Sequence, residues 1–275
     1  MPELPEVETI CRSLRDGTAD APPLVGDQII GVRLDWPRHV VEPSPKSFRR
    51  RIRGQTVRGI DRRGKFILIS LDRDSLLVHL MMSGDLFITP AGTRRTPHDH
   101  TVFRLASGSQ LRFRDPRKFG RVFLVADPES VLDRLGPEPL SEGFQVKQLE
   151  LILGRHNRAL KPLLLDQAAI AGLGNIYADE ALHRARLHPL RSSQTLQPSE
   201  VRALWKGIRA ALQEGLRHNG ASIDWVYRGG NFQNHFRVYG QAGQPCLVCG
   251  TTIVRSVIGQ RSTFTCPNCQ PWGTN

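Results

Sequence analysis

The chain has 275 residues, 39% of them hydrophobic, and a formal net charge of +12 supplied mostly by arginine. That content supports ordinary cores, which excludes a disordered tail, and the charge suits a polyanion such as nucleic acid, although a basic protein with no nucleic-acid role has the same balance. No run of 18 or more apolar residues exists, and the acidic N-terminus lacks an apolar segment, so neither a membrane span nor secretion is expected and a cytoplasmic location follows.

Taken in chain order, Val7, Ile10, Cys11 and Leu14 recur at helical spacing over residues 6–15, with Gly17 as the stop. Residues 28–36, 56–61, 65–71, 76–82, 100–105, 110–114 and 121–125 then read as short β-rich runs. Turn signals such as Asp72-Arg73-Asp74 and Ser107-Gly108-Ser109 separate them. Hairpins without intervening helices indicate an antiparallel sandwich or barrel. Residues 127–143, rich in Pro, Gly and acidic side chains, form a linker. Beyond it, residues 145–154, 159–166, 176–185 and 199–218 read as helices, with Ser199 as a fair N-cap after Pro198. The division is a catalytic β domain over 1–127, the linker, a helical domain over 144–235 and a cysteine-rich module over 236–275.

Two features carry chemistry without further help. Cys246-x-x-Cys249, sixteen residues, then Cys266-x-x-Cys269 can set four thiolates tetrahedrally around one structural Zn²⁺. The hairpin between the knuckles projects residues 258–264. At the other end, removal of Met1 leaves the secondary amine of Pro2 beside the Glu3 carboxylate. An amine attacks a sugar or carbonyl carbon to form a Schiff base, and a secondary amine gives an iminium that stays cationic. The plainer reading is that Pro2 merely starts a helix. Lys65 follows Gly64 at the head of a strand, where it is either a phosphate ligand or a rim lysine. Asn175, after Gly172-Leu173-Gly174, falls at a helix N-terminus, which suits a phosphate oxygen. No strand precedes that Gly-x-Gly, so a dinucleotide site is not expected. His98-Asp99-His100 offers two histidines on one strand face and no third metal ligand.

These blocks resemble the formamidopyrimidine-DNA glycosylases (Fpg). The resemblance runs through Pro2-Glu3-Leu4-Pro5-Glu6-Val7-Glu8-Thr9, Arg63-Gly64-Lys65, His79-Leu80-Met81-Met82-Ser83-Gly84 and His98-Asp99-His100. It continues through Asp115-Pro116-Arg117-Lys118-Phe119-Gly120, Leu135-Gly136-Pro137-Glu138-Pro139-Leu140, Gly172-Leu173-Gly174-Asn175-Ile176-Tyr177-Ala178 and the cysteine-rich tail. They occur in the family's order over nearly the whole chain. The resemblance implies an α+β multidomain fold: an N-terminal antiparallel β-sandwich with a leading helix, a helix–two-turn–helix domain and a C-terminal zinc-finger β-hairpin. It also implies a monomeric glycosylase and abasic-site lyase for damaged double-stranded DNA, with no nucleotide cofactor.

By the same match, Pro2 is the nucleophile, Glu3 moves protons, and Lys65 and Arg261 contact phosphates and assist elimination. Met82, Arg117 and Phe119 fill the gap left by an extruded nucleotide, although Met82 and Phe119 alone would read as core. Alternation sets Arg117 and Phe119 on one face of a short extended segment. His79, His98, Asn175 and Tyr239 are further DNA contacts. In the departure Arg155-His156-Asn157-Arg158, a phosphate contact falls to His156 or a neighbouring arginine. The 222–240 segment is shorter than in well-known bacterial members, which leaves the preferred lesion open. Two alternatives stand beside this reading: an endonuclease VIII-like glycosylase for oxidised pyrimidines, against which Leu4 argues, and a non-catalytic damaged-DNA-binding protein on the same scaffold.

Overall fold

The computed structural model describes residues 1–222 and 229–272. Two compact units make up the chain, Met1–Asp133 with Ala221–Gly230, and Arg134–Gly220 with Asn231–Asn275. Among the described residues no helix is long and apolar enough to cross a membrane.

In the first unit, helix α1 (Leu4–Asp16) starts with Pro5 in its first turn and ends at Gly17, whose φ of 78° is costly for other residues. Leu4, Val7, Ile10, Cys11 and Leu14 share its buried face. Cys11 donates to the Asp61 carbonyl, and burial, reinforced by Glu8, pushes its thiol up to about 12. It is an inert core thiol. The strands follow as β1 (Gln28–Leu34), β2 (Val40–Glu42), β3 (Gln55–Arg63), β4 (Phe66–Leu71), β5 (Ser75–His79), β6 (Asp85–Pro90), β7 (Asp99–Leu105), β8 (Ser109–Arg114) and β9 (Arg121–Val125). Their order, β2-β9-β5-β4-β3-β1-β7-β8-β6, is antiparallel except where β2 runs parallel to β9. The β1–β3 pairing joins the two halves over Gln28 and Ile29, and residues from both halves meet in one apolar cluster.

Three elements here escape the sequence patterns. Strands β2 and β6 are respectively very short and at a sheet edge. Helix α2 (Pro45–Ile52) is capped by Ser44 but buries only Phe48 and Ile52, and its run of arginines hides that pair. Strand β5 also stops at His79 rather than running to residue 82, because Met81 turns the chain with φ 52°.

The single-turn α3 (Glu129–Leu132) ends the 1–133 part of the first unit, and the second unit comprises α4 (Val146–Arg155), α5 (Leu160–Leu165), α6 (Asn175–Ala185) and α7 (Pro198–Arg217). Nearly all of α6 is buried. The N-cap of α7 is Gln197, not Ser199: Gln197 and Glu200 form a reciprocal capping box with Pro198 in the first turn. Ser199 is therefore already helical. A two-stranded hairpin, β10 (Val254–Ile258) and β11 (Arg261–Thr265), closes the unit. Its two-residue turn, Gly259-Gln260, has both φ values positive (55° and 61°), the conformation that matches hairpin twist.

Candidate functional site

At the N-terminus the sequence Glu3-Leu4-Pro5-Glu6 builds its own brace. Glu3 is buried and serves as the N-cap of α1, accepting the Glu6 N–H, while Glu6 Oε2 accepts the Glu3 N–H at 2.7 Å. This reciprocal cap fixes the backbone next to Pro2. Glu6 Oε1 accepts the Ala221 N–H at 2.7 Å, so one buried carboxylate ties the start of α1 to the segment entering residues 221–230. Of the 222–240 segment, residues 223–228 lie outside the described residues.

Lys65 sits between β3 and β4, after Gly64 with φ 57°, and is buried. Opposite, His79 ends β5 with its ring edge-on to Phe66 at 4.7 Å. Burial, then the charges of Lys65 and Arg121, push His79 down to about 4, so its imidazole is neutral near pH 7. Nδ1 accepts the Met81 N–H at 3.1 Å, which assigns the proton to Nε2.

Met82 is half-buried in the loop between β5 and β6, and Arg117 and Phe119 are exposed in the loop between β8 and β9. The second loop is a turn rather than an extended segment, because Lys118 adopts φ 60°. That turn, not strand alternation, brings the Arg117 guanidinium over the Phe119 ring at 4.9 Å. His98 is exposed, whereas Asp99 is buried and binds Arg112 and Arg114. Asp99 is thus the structural member of its triplet, holding the strand entry that displays His98.

In the second unit, Asn175 is the first residue of α6, and its side-chain amide donates to the Ser262 carbonyl at 3.0 Å. Lys161, fully buried on α5, donates to the same carbonyl (3.0 Å) and to Thr263 Oγ1 (2.8 Å), and pairs with Asp179 Oδ1 at 2.7 Å. Asp179 Oδ2 accepts the Phe264 N–H at 3.0 Å. Asn175 and Arg261 are therefore brought close through Ser262, next to which Arg261 stands exposed at the hairpin turn. Glu180, also buried, accepts the N–H groups of Arg237, Val238 and Tyr239 on one oxygen, at 2.9, 2.9 and 3.1 Å. The Tyr239 ring packs edge-on to Phe264 at 5.2 Å. Sequence reasoning missed Lys161, Asp179 and Glu180. The available signal was a lysine inside the apolar run Leu160–Leu165 and two acidic residues on a helix with three alanines.

His156 follows α4 and is half-buried, and its carbonyl accepts the Ser193 hydroxyl. Arg158 is engaged by Asp166 at 2.7 Å, while Arg155 is exposed and makes no ion pair among the described residues.

Cys246, Cys249, Cys266 and Cys269 bring their sulfurs within 4.8 Å of one another, with individual separations of 3.4 Å (Cys249–Cys266 and Cys249–Cys269) and 3.9 Å (Cys246–Cys269). Thiolates arranged tetrahedrally on zinc at about 2.3 Å lie about 3.8 Å apart, so the donor set fits the metal. Val248 and Cys269 N–H groups point at Cys246 and Cys266 sulfurs at 3.4 Å each, and His183 Nε2 lies 3.4 Å from Cys246 Sγ. Hydrogen bonds from Thr251 and Asn268 pull Cys249 down to about 5, while burial pushes Cys266 and Cys269 up. Four thiolates there require a cation. These cysteines form the site for one structural zinc ion.

Comparison with known proteins agrees on all three parts of the chain. Residues 1–122 match the formamidopyrimidine-DNA glycosylase N-terminal domain, 135–226 the H2TH domain of the same enzymes, and 243–271 the zinc finger found in FPG and IleRS. A formamidopyrimidine-DNA glycosylase of Roseiflexus sp. is 49% identical over 98% of this chain and 100% of its own. A complex of Lactococcus lactis Fpg with abasic-site DNA superimposes with a TM-score of 0.91 at 34% identity, covering 98% of this chain and 100% of the other. The Lactococcus lactis protein with Fapy-dG DNA gives 0.90 at 34% and the same coverage. The chain belongs to the formamidopyrimidine-DNA glycosylase family.

Proposed function

We propose that the chain is a bifunctional DNA glycosylase and abasic-site lyase of base excision repair, removing formamidopyrimidines and 8-oxoguanine from duplex DNA. The observation that carries this reading is the brace at the start of α1, where Glu3 and Glu6 cap each other and fix the backbone beside Pro2. With Met1 removed, the Pro2 nitrogen attacks C1′ of the damaged nucleotide. The C1′–base bond breaks and the base departs with a proton, while Glu3 passes protons to the sugar oxygen or the leaving base. The opened sugar is then an iminium on Pro2. Its C2′ proton is acidic, and loss of that proton expels the 3′ phosphate. A second elimination expels the 5′ phosphate, and water releases Pro2 from the remaining fragment. An iminium lowers each barrier by acting as an electron sink.

Lys65 and Arg261 neutralise the phosphates that flank the lesion, and the neutral His79, His98, Asn175 and Tyr239 add contacts to the backbone. His156 and the exposed Arg155 share the phosphate contact at the end of α4. Met82, Arg117 and Phe119 occupy the gap left by the extruded nucleotide. The catalytic domain spans 1–127, the linker 128–143, the helical domain 144–235 and the finger 236–275. The enzyme works as a cytoplasmic monomer, and no nucleotide cofactor enters the chemistry. Zinc, when bound, holds the finger in shape and takes no part in the reaction.

Borohydride reduction during reaction with abasic DNA tests the mechanism. The expected product is a covalent adduct on the N-terminal peptide lacking Met1. An adduct mapping to Lys65 in processed protein would overturn it. Glu3→Gln is expected to impair base removal more than cleavage of a preformed abasic site, which already presents an aldehyde; excision and cleavage rates measured side by side check this.

A further inference from the structure

The loops that carry Met82 and Arg117–Phe119 leave different strands, β5 and β8, and nothing in the sequence obliges them to act together. Asp115 joins them. Its carboxylate is wholly buried and accepts the Ser83 hydroxyl on Oδ1 at 2.7 Å. On the same oxygen it accepts the Arg117 N–H at 3.2 Å, and on Oδ2 the Gly120 N–H at 2.7 Å. His39 Nε2, also buried, lies 3.5 Å from Oδ2. Ser83 in turn accepts the Arg117 N–H at 3.3 Å, so its hydroxyl sits at the junction of both loops.

The surroundings leave this junction little freedom. A Cβ on Gly120 would come 2.2 Å from the Phe113 ring, and one on Gly84 would come 2.5 Å from the Leu80 carbonyl. Met81 and Lys118, one in each loop, hold left-handed φ values that persist only where neighbouring structure over-determines them.

We infer that the Ser83–Asp115 hydrogen bond makes the two loops one preorganised wedge, and that both residues are positioning residues for nucleotide extrusion. The inference rests on the glycosylase reading above. Separate loops would each lose conformational freedom on entering the base stack, whereas joined loops have lost it on folding. The gain applies only to steps that push side chains into a duplex.

The test uses full-length, zinc-loaded protein. Binding is followed by 2-aminopurine fluorescence beside a tetrahydrofuran abasic-site analogue in duplex DNA, and lyase chemistry by cleavage of a single-stranded abasic oligonucleotide. Ser83→Ala is expected to lower affinity for the duplex and slow the fluorescence change about tenfold, the worth of one or two buried hydrogen bonds. Cleavage of the single strand should be unchanged, and Ser83→Thr, which keeps the hydroxyl, should recover most of the duplex effect. Asp115→Asn, which presents an N–H₂ group to existing donors, should follow Ser83→Ala. An unchanged fluorescence step in Ser83→Ala, or an equal loss on both substrates with a lowered melting temperature, would overturn the inference. If wild-type protein leaves the single strand uncut, the lyase reading fails separately, while the fluorescence comparison still decides the wedge.

Discussion

Asp115 in the first unit and Asp179 in the second are both almost completely buried, yet their protons behave oppositely. Burial raises Asp115, but His39, the Gly120 N–H and the Ser83 hydroxyl outweigh it, holding the carboxyl at about 2. Asp179 is driven up to about 7, because burial exceeds the pull of Lys161 and the Phe264 N–H, and Glu180 adds a like charge. Burial alone therefore does not set the charge of an interior carboxylate; the number and direction of its donors do. The contrast extends to the cores around them. Asp115 lies against a large apolar cluster that stands without help, whereas the hairpin beside Asp179 has a cluster of Val238, Ile253, Phe264 and three cysteines. So small a core relies on metal and on buried polar anchors.

Removing zinc should separate the two regions most sharply. Stripping the metal with a chelator, or Cys249→Ser, is expected to unfold the hairpin while the β-sandwich keeps its melting transition in calorimetry. Affinity for damaged duplex, measured by fluorescence anisotropy, should fall on the order of a hundredfold with loss of the phosphate contact proposed for Arg261. Equal loss of both transitions would break the comparison.

The next effect is at the ion pair. Asp179→Asn strands the buried Lys161 charge and is expected to cost about 3–5 kcal/mol in denaturant melts. Lys161→Met should cost less, about 1–2 kcal/mol, since burial already favours the neutral Asp179 carboxyl.

The smallest effects lie in the acid titration. The folded pKa of Asp115 is depressed, so its contribution, on the order of 2 kcal/mol, is present above about pH 4 and lost as pH falls through about 2. Asp179 has the opposite sign: its native state retains the proton, so that contribution is complete below about pH 4 and lost as pH rises through about 7. Carbon-13 NMR of the two carboxyl groups reads both midpoints, and two values near 4 would erase the distinction.

How far the sequence reached follows from the same physics. Paired cysteines, alternating strands and the amphipathic helices were legible because each rests on local spacing, and so was the acidic opening Glu3-Leu4-Pro5-Glu6. Asp179 and Glu180 were not, because a polar residue on a helix reads as solvent-facing until the chain that covers it is known. The alternation read for Arg117 and Phe119 does not hold, since Lys118 reverses the chain between them and the turn itself brings the guanidinium over the ring. Ser199 reads as a cap because its own hydroxyl suits one, while the reciprocal box of Gln197 and Glu200 depends on a register the pattern does not show.

Helix α7 limits what natural variation can do to this protein. A methyl group on Gly207 would come 2.6 Å from the Ala181 carbonyl, and one on Gly215 would come 2.5 Å from the Tyr177 ring. Each glycine weakens the helix by about 0.5–1 kcal/mol relative to alanine, yet alanine has no room. Sequence drift on α7 is therefore one-sided. Its solvent face can change freely, but a single added carbon toward α6 shifts the helix that bears Asn175, Asp179 and Glu180, and with it the alignment of the hairpin that presents Arg261.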